Sequence, residues 1–104
     1  MKRLQAVIRP EKLEAVEAKL AEVGVEGFMV YDVRGHGTES SPTGEWRGVQ
    51  YAMSVKHKLL VDLLLEDGEV KAVSDAIRTV ARTGQPGDGI IFVLDVAEII
   101  PIRG

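Results

Sequence analysis

The chain contains the same apolar helix pattern twice, and this repeat limits the folds that it can adopt. Each copy has four apolar residues at spacings of 3, 4 and 3, and the second copy follows the first by 57 residues. The residues are Leu13, Val16, Leu20 and Val23, then Val70, Val73, Ile77 and Val80. At about 100° per residue, this spacing keeps the four side chains within an arc of roughly 80°. Each predicted helix therefore has one apolar face that must pack against a second layer.

Short strand patterns flank both helices. The first helix is predicted to begin at Pro10 and to end before Gly24, and Gly84 follows the second helix in the same way. Strand patterns cover residues 4–9, 28–33, 61–65 and 93–96. Two βαβ units in tandem predict an α+β, ferredoxin-like double βαβ sandwich, with a four-stranded antiparallel sheet and two helices on one face.

Length, charge and composition exclude several classes of protein. The 104 residues are 45% hydrophobic, so residues 1–104 should form one domain around one core. The net charge of -3 argues against nucleic-acid binding, and the absence of cysteine excludes disulfides and thiolate metal sites. No stretch approaches the roughly 18 apolar residues of a membrane span. We expect a soluble, cytoplasmic protein that does not insert into a membrane.

A long connection, at about residues 35–50, separates the two halves. It is rich in glycine and shows neither a helix nor a strand period. Trp46 and Arg47 within it are of the two residue types most enriched at binding hot spots. We interpret the segment as a recognition loop, and the alternative is a tolerated insert without function.

The segment that follows is too long for one strand of so small a sheet. Residues 51–65 exceed the usual strand length, so the excess should project with the loop or pair with another subunit. Leucines at 59, 60, 63, 64 and 65 predict a strand that is buried on both faces. Because one helix layer covers only one face, the second face indicates a homo-oligomer.

A glycine-rich stretch, "TGQPGDGIIFV", precedes the last strand. The offset between the two halves increases from 57 to 63 here, so residues 83–89 are an insertion where the first half has a plain turn. The stretch could be a tight turn into an edge strand. We favour a backbone cradle for an anion, of the kind that glycine-rich nests form.

With these elements in this order, the chain resembles the PII nitrogen-regulatory signal proteins over its whole length, as a divergent member. The loop segment "WRGVQY" and the stretch "TGQPGDGIIFV" resemble the two signatures of that family. The stretches "RPEKLEAVEAKLAEVGVEG" and "VRGHG" and a basic C-terminal strand also match. The resemblance implies a homotrimer that binds adenine nucleotides between subunits and whose long loop controls a membrane transporter or a metabolic enzyme.

The resemblance also implies which residues form the nucleotide site. The short loop would hold phosphates through its backbone, Gly35 and Gly37 would close the opposite side, and the adenine would lie near Asp62. Asp62 could accept the exocyclic amine, and its alternative role is that of a solvated strand carboxylate. The expected nucleotide-binding residues are Met29, Gly35, Gly37, Asp62, Leu64, Thr83, Gly87, Asp88, Gly89 and Arg103.

Several cations of the family's phosphate site are replaced. Ile90 and Gln85 stand where lysines are expected, and Pro101 replaces one of two arginines, which leaves Arg103. Since each charge-assisted hydrogen bond contributes about 1.5 to 3 kcal/mol, AMP, ADP or cyclic AMP should suit the site at least as well as ATP. The alternatives are an empty site or replacement cations. Candidates for replacement are Arg82, Arg34, Lys56 and a neighbouring subunit.

A second effector and a modification are also implied. In the family, magnesium and 2-oxoglutarate are held by a loop glutamine and a strand lysine, and Glu39 and Lys58 occupy those positions. The Glu39 carboxylate could bind magnesium but would repel the dicarboxylate, which argues against 2-oxoglutarate sensing. Tyr51 matches a tyrosine that some members have uridylylated, and it could equally be an ordinary strand aromatic.

Catalytic chemistry finds no support in the sequence. His36 and His57 lie 21 residues apart without a partner carboxylate spacing, so each is interpreted as a surface histidine. We expect a regulator rather than an enzyme. The alternative function is a structural or interaction module of the same fold that has lost its ligand, like the more distant trimeric divalent-cation-tolerance proteins.

Overall fold

The computed structural model describes the backbone of residues 1–36, 43–46, 49–52 and 55–104, and the side chains of residues 1–36 and 56–104. Six strands and two helices follow one another along these residues. They are β1 (Lys2–Ile8), α1 (Leu13–Glu22), β2 (Met29–His36), β3 (Thr43–Trp46), β4 (Val49–Ala52), β5 (Val55–Leu65), α2 (Val70–Ala81) and β6 (Gly89–Asp95). A single 3-10 turn leads into each helix, at Pro10–Lys12 and Asp67–Glu69. None of the helices in the described residues is long and apolar enough to cross a bilayer.

The main sheet has the strand order β2-β5-β1-β6, and every neighbouring pair is antiparallel. Both helices contribute to the same core on one face of this sheet and also contact each other. This arrangement confirms the predicted ferredoxin-like α+β fold. The central position of β1 and β5 follows from their composition, since both are apolar along most of their length.

The helix ends lie close to the predicted positions. Gly24 and Gly84 adopt φ of 88° and 86°, the left-handed conformation that only glycine takes without strain. Within the stripes, the middle residues are buried against the sheet, whereas Val23, at the end of the first stripe, is 40% exposed. The first helix is therefore one residue shorter than its apolar pattern.

Alternation along β1 and β5 builds the core. The side chains that face the helices are Leu4, Ala6 and Ile8 of β1 and Leu59, Val61, Leu63 and Leu65 of β5, and all are buried. Fully burying a leucine or isoleucine contributes about 1.5 to 3 kcal/mol, so this face accounts for much of the stability of the single chain.

Neither helix packs on the opposite side of the sheet, which we call the open face. Its apolar side chains are exposed in the single chain, including Leu64, which is 52% exposed. The exposure of Leu64 in the single chain agrees with the expectation that one helix layer covers only one face of β5. The exposed apolar residues of this face are Met29, Tyr31, Leu64, Ile90, Phe92 and Leu94. A face of this composition needs a partner to remove it from water.

Two segments differ from the prediction. The connection at 35–50 contains strand structure, because β2 extends to His36 and β3 pairs with β4 in an antiparallel two-stranded sheet. The expected basic C-terminal strand is absent, and residues 96–104 carry only a turn. Pro101 lacks the amide that a strand ladder requires, which favours the irregular conformation.

The long strand β5 projects beyond its neighbour β1. It pairs with β1 from Leu59 to Leu65 but with β2 already from Val55. Residues 33–36 and 55–58 therefore form a two-stranded ribbon that extends from the sheet towards β3 and β4. This agrees with the expectation that part of residues 51–65 projects with the loop.

Candidate functional site

The glycine-rich loop between α2 and β6 is closed by the carboxylate of Asp88. The amides of Thr83 and Gly84 each donate to Oδ2 of Asp88 at 2.8 Å, and the Thr83 hydroxyl donates to Oδ1 at 2.5 Å. The Gln85 amide in turn donates to the Thr83 hydroxyl at 3.1 Å. The amides of Thr83, Gly84 and Gln85 thus donate to side chains of the loop itself. The loop therefore differs from the predicted cradle, in which the backbone would be open to an anion along the whole loop.

Arg9, which follows β1, fastens this loop to the sheet. Its Nε donates to Asp88 Oδ1 at 3.1 Å and its Nη2 donates to the carbonyl of Pro86 at 2.9 Å. The hydrogen bonds from Thr83, then those from Gly84 and Arg9, hold the pKa of Asp88 well below its usual range. Asp88 is therefore ionised in the folded protein.

Three cationic side chains converge on Gly87. A methyl group at Gly87 would lie 3.5 Å from Nη2 of Arg9, 3.7 Å from Nζ of Lys58 and 3.8 Å from Nζ of Lys56. Lys58 also donates a hydrogen bond to the carbonyl of Gly87. Lys56 was predicted from the sequence as a replacement cation, whereas Arg9 was not. Arg9 reaches the loop because it directly follows Ile8, which pairs with Gly89, and this register is not visible in the sequence.

Gly89 is required by the packing of β6 against β1. Its φ is 113°, and a methyl group there would lie 1.8 Å from the carbonyl oxygen of Val7. Gly87 and Gly89 are therefore required for two different reasons. Gly87 adopts a φ of 93°, a left-handed conformation that favours glycine, and Gly89 makes room for the neighbouring strand.

Asp62, on the open face of β5, is buried and paired with Arg3. Nε of Arg3 lies 3.0 and 3.2 Å from the two carboxylate oxygens, and Nη2 lies 2.6 Å from Oδ2. Asp62 is 2% exposed, so the alternative of a solvated strand carboxylate is wrong. The hydrogen bond from Arg3 lowers the pKa of Asp62, although burial opposes this. Sequence reasoning missed Arg3, whose neighbour in register on β5 is Leu64.

A cavity of about 660 Å³ opens beside this ion pair. Met29, Leu64 and Leu94 supply apolar walls, and the Arg3 and Asp62 side chains supply polar groups. Flat apolar rings with a few polar edge atoms suit such a site. The structure thus brings together three of the residues expected around the adenine, namely Met29, Asp62 and Leu64.

This cavity and the glycine-rich loop lie at opposite ends of the sheet. On β1, Arg3 lies beside the cavity, whereas Ile8 pairs with Gly89 at the loop. Arg3 and Ile8 are five steps apart along the strand, or roughly 17 Å at about 3.3 Å per residue. One small ligand therefore cannot contact both ends of the same chain closely.

The remaining expected residues are distributed as follows. Gly35 lies on β2, and a methyl group there would contact the Lys58 side chain at 3.6 Å. Arg103 is exposed in the C-terminal turn, and Ile90 is exposed at the start of β6. Trp46 and Tyr51 belong to the backbone of β3 and β4. Gly37, Glu39 and Arg47 lie outside the described residues.

Metal-ligating side chains do not cluster in the part of the chain that the structure describes. No group of three His, Cys, Asp or Glu residues forms there. His57 lies 2.9 Å from Asp32, and both side chains are exposed. The cationic cluster at Gly87 is consequently the most distinctive chemical feature of the described residues.

Comparison with known proteins gives a consistent result over the whole chain. The family model described as "Nitrogen regulatory protein P-II" matches residues 1–104. The chain is 42% identical over 103 residues to the nitrogen regulatory protein P-II of Rhizobium meliloti, and 41% identical to that of Microchaete diplosiphon; each match covers 99% of this chain and 92% of the relative. It is also 39% identical to the nitrogen regulatory protein GlnK2 of Haloferax mediterranei, covering 84% of that protein.

Proposed function

Because the chain belongs to the P-II family of nitrogen regulatory proteins, we propose that it is a trimeric signal-transduction regulator that binds an adenine nucleotide between its subunits. Members of this family are regulators rather than enzymes, and the same holds for this chain. The segment at 35–50 would control a membrane transporter or a metabolic enzyme in the cytoplasm. The convergence of Arg9, Lys56 and Lys58 on the glycine-rich loop is the observation that carries the proposal.

The open face supports assembly with further copies of the chain. Met29, Leu64 and Phe92 are each about half exposed there, although one domain of this size could bury them. The separation of the cavity from the glycine-rich loop points in the same direction. A nucleotide that uses both features must take its base pocket from one subunit and its phosphate loop from another.

The cationic cluster replaces charge that the family places elsewhere. The expected lysines are Ile90 and Gln85 in this chain, and Pro101 stands at an arginine position. The three cations at Gly87 approach the same loop from β1 and β5 instead. They support binding of a phosphate-bearing adenine nucleotide, with AMP, ADP or cyclic AMP proposed as at least as suitable as ATP.

At the other end, the cavity supports binding of the adenine ring. Met29 and Leu64 would cover the ring, and the carboxylate of Asp62 would face its exocyclic amine. Arg3 fixes the direction of this carboxylate through its three contacts. Gly35 and Gly37 would close the phosphate end, with Thr83, Gly87, Asp88, Gly89 and Arg103 around it.

A second candidate is a ligand-free interaction module of the same fold. The observation that favours it is the internal bond from Lys58 to the Gly87 carbonyl, which uses a cation of the cluster within the protein. In that case the trimer and the segment carrying Trp46 and Arg47 would act without a nucleotide. Modification of Tyr51 remains a separate proposal, whereas the carboxylate of Glu39 argues against sensing of 2-oxoglutarate through Lys58 and magnesium.

Calorimetric titration separates the two candidates. AMP, ADP, ATP and cyclic AMP are added in turn, with and without magnesium and 2-oxoglutarate. The first proposal expects saturable binding of at least one nucleotide with up to one site per subunit. Absence of heat and of any thermal shift with all four would refute nucleotide binding and favour the ligand-free module. Light scattering at the same concentration measures the trimer, and a monomer would contradict both.

A further inference from the structure

The carboxylate of Asp88 has no oxygen left over for a ligand or a metal ion. Oδ1 accepts from the Thr83 hydroxyl and from Nε of Arg9, and Oδ2 accepts from the amides of Thr83 and Gly84. Each oxygen thus receives two donors, which is the usual capacity of a carboxylate. All four donors come from the loop itself or from the end of β1.

We propose that Asp88 is a positioning residue whose carboxylate fixes Arg9 and the Gly87 backbone as one preformed site for a phosphate group, and that this carboxylate does not contact the nucleotide. This inference depends on the proposed nucleotide binding and concerns its phosphate end. It assigns Arg9, which neither the sequence pattern nor the comparisons indicated, as a direct phosphate contact.

The geometry of the Arg9 guanidinium explains the arrangement. Its Nε is bound to Asp88 and one hydrogen of Nη2 is bound to the Pro86 carbonyl. These two bonds stop rotation of the planar group and leave Nη1 and the second hydrogen of Nη2 as donors. Such a pair of parallel donors matches two oxygens of one phosphate. Nη2 lies 3.5 Å from the place of a Gly87 methyl group, so the fork is held beside the loop.

Asparagine at position 88 would break this arrangement without changing its size. An amide has one acceptor oxygen, and its NH₂ group would face N–H donors that the second carboxylate oxygen now accepts. Arg9 would lose its fixed orientation, and the negative charge that balances it would be lost too. The phosphate affinity should fall because the site is no longer preorganised.

The test compares ADP with adenosine, which differ by the phosphates alone. Calorimetry is carried out on the wild-type chain, D88N, R9K and the double variant, and Asp75→Asn on the exposed surface of α2 serves as the matched control. We expect D88N and R9K each to weaken ADP by about tenfold or more and to leave adenosine unchanged. We expect the double variant to be no weaker than D88N, because both substitutions remove one preformed unit.

Each outcome decides between structural and ligand-directed roles. If D88N weakened adenosine and ADP equally, Asp88 would act on the fold as a whole and the inference would be wrong. If D88N and R9K bound ADP like the control, the phosphate would lie elsewhere and the inference would again be wrong, with nucleotide binding intact. If the wild-type chain bound neither ligand and none of AMP, ATP and cyclic AMP, the proposed function itself would fail. Should D88N not fold, R9K alone decides by the same comparison of ADP with adenosine.

Discussion

Replacing Gly89 with alanine should test how closely β6 is held against β1. The added methyl group would lie 1.8 Å from the carbonyl oxygen of Val7 and 2.9 Å from its carbonyl carbon. Both atoms belong to the backbone of β1, which is a central strand of the sheet. Neither can move aside as a flexible side chain would, so the start of β6 must shift instead.

The magnitude follows from two terms. Atoms of this kind normally approach to about 3.5 Å, so the strand end must move by roughly 1.5 Å, and such overpacking costs about 1 to 3 kcal/mol. The φ of 113° adds a backbone term of about 1 to 2 kcal/mol for alanine. We therefore expect G89A to lower the free energy of unfolding by about 3 kcal/mol, against about 1 kcal/mol for Gly84→Ala. Gly84 shares the left-handed conformation, with φ of 86°, but nothing lies within 4 Å of its added methyl group.

Urea denaturation measures the stability of both variants. The protomer concentration is kept the same because assembly makes the apparent stability depend on concentration. The difference of about 2 kcal/mol between them corresponds to roughly 8 to 16 °C in melting temperature for a domain of this size. If G89A and G84A agreed within about 0.5 kcal/mol, the packing term would be absent and the close approach of β6 to Val7 would be refuted.

Three further predictions concern the ion pairs and the open face. Asp62→Asn should lower the free energy of unfolding by about 2 kcal/mol, since it weakens the charge-assisted bonds from Arg3; an unchanged urea midpoint would contradict this. The folded pKa values of Asp62 and Asp88 are depressed, so their stabilisation is present above the unfolded value of about 4 and is lost as the pH falls through the folded values. Urea midpoints from about pH 7 to about pH 3 should therefore fall at the acidic end, and less steeply for Asp62→Asn, whereas equal slopes would show that the pair does not titrate with folding. Phe92→Glu should give monomers by light scattering, while Val23→Glu on the helix side should remain assembled; a trimer of the Phe92 variant would exclude the open face as the interface.

The fold was predictable because its main signals are periodic. The apolar stripes ending at Val23 and Val80 and the glycines after them define both helices, and the alternation in β1 and β5 defines the core strands. The pairing of β3 with β4 was not predictable, since Thr43–Trp46 and Val49–Ala52 are four residues each and their composition gives no alternation. The C-terminal strand was predicted from the family resemblance, although Pro101 lacks the amide that a strand ladder requires, and this prediction was wrong.

The candidate site was predicted less completely, because its contacts depend on neighbours across the sheet. Asp88 was identified from the glycine-rich stretch, yet its partner Arg9 is 79 residues away in sequence. Arg3 and Asp62 are 59 residues apart, and only the register of β1 against β5 brings them together. A single sequence contains the residue types of such pairs but not the strand register that joins them.

The ribbon formed by residues 33–36 and 55–58 connects the main sheet mechanically with β3 and β4. Its outer end leads to β3 and β4, its inner end carries Lys58 bonded to the Gly87 carbonyl, and Lys56 lies between them with its Nζ near Gly87. Because β1 does not pair with it, the ribbon can tilt about its junction with the sheet at a smaller cost than a central strand. A few degrees of tilt would change the distance between the lysines and Gly87, and an anion gripped there would resist the same tilt. A force applied at β3 and β4 and the binding of an anion at the glycine-rich loop would then both act on the angle between the ribbon and the sheet.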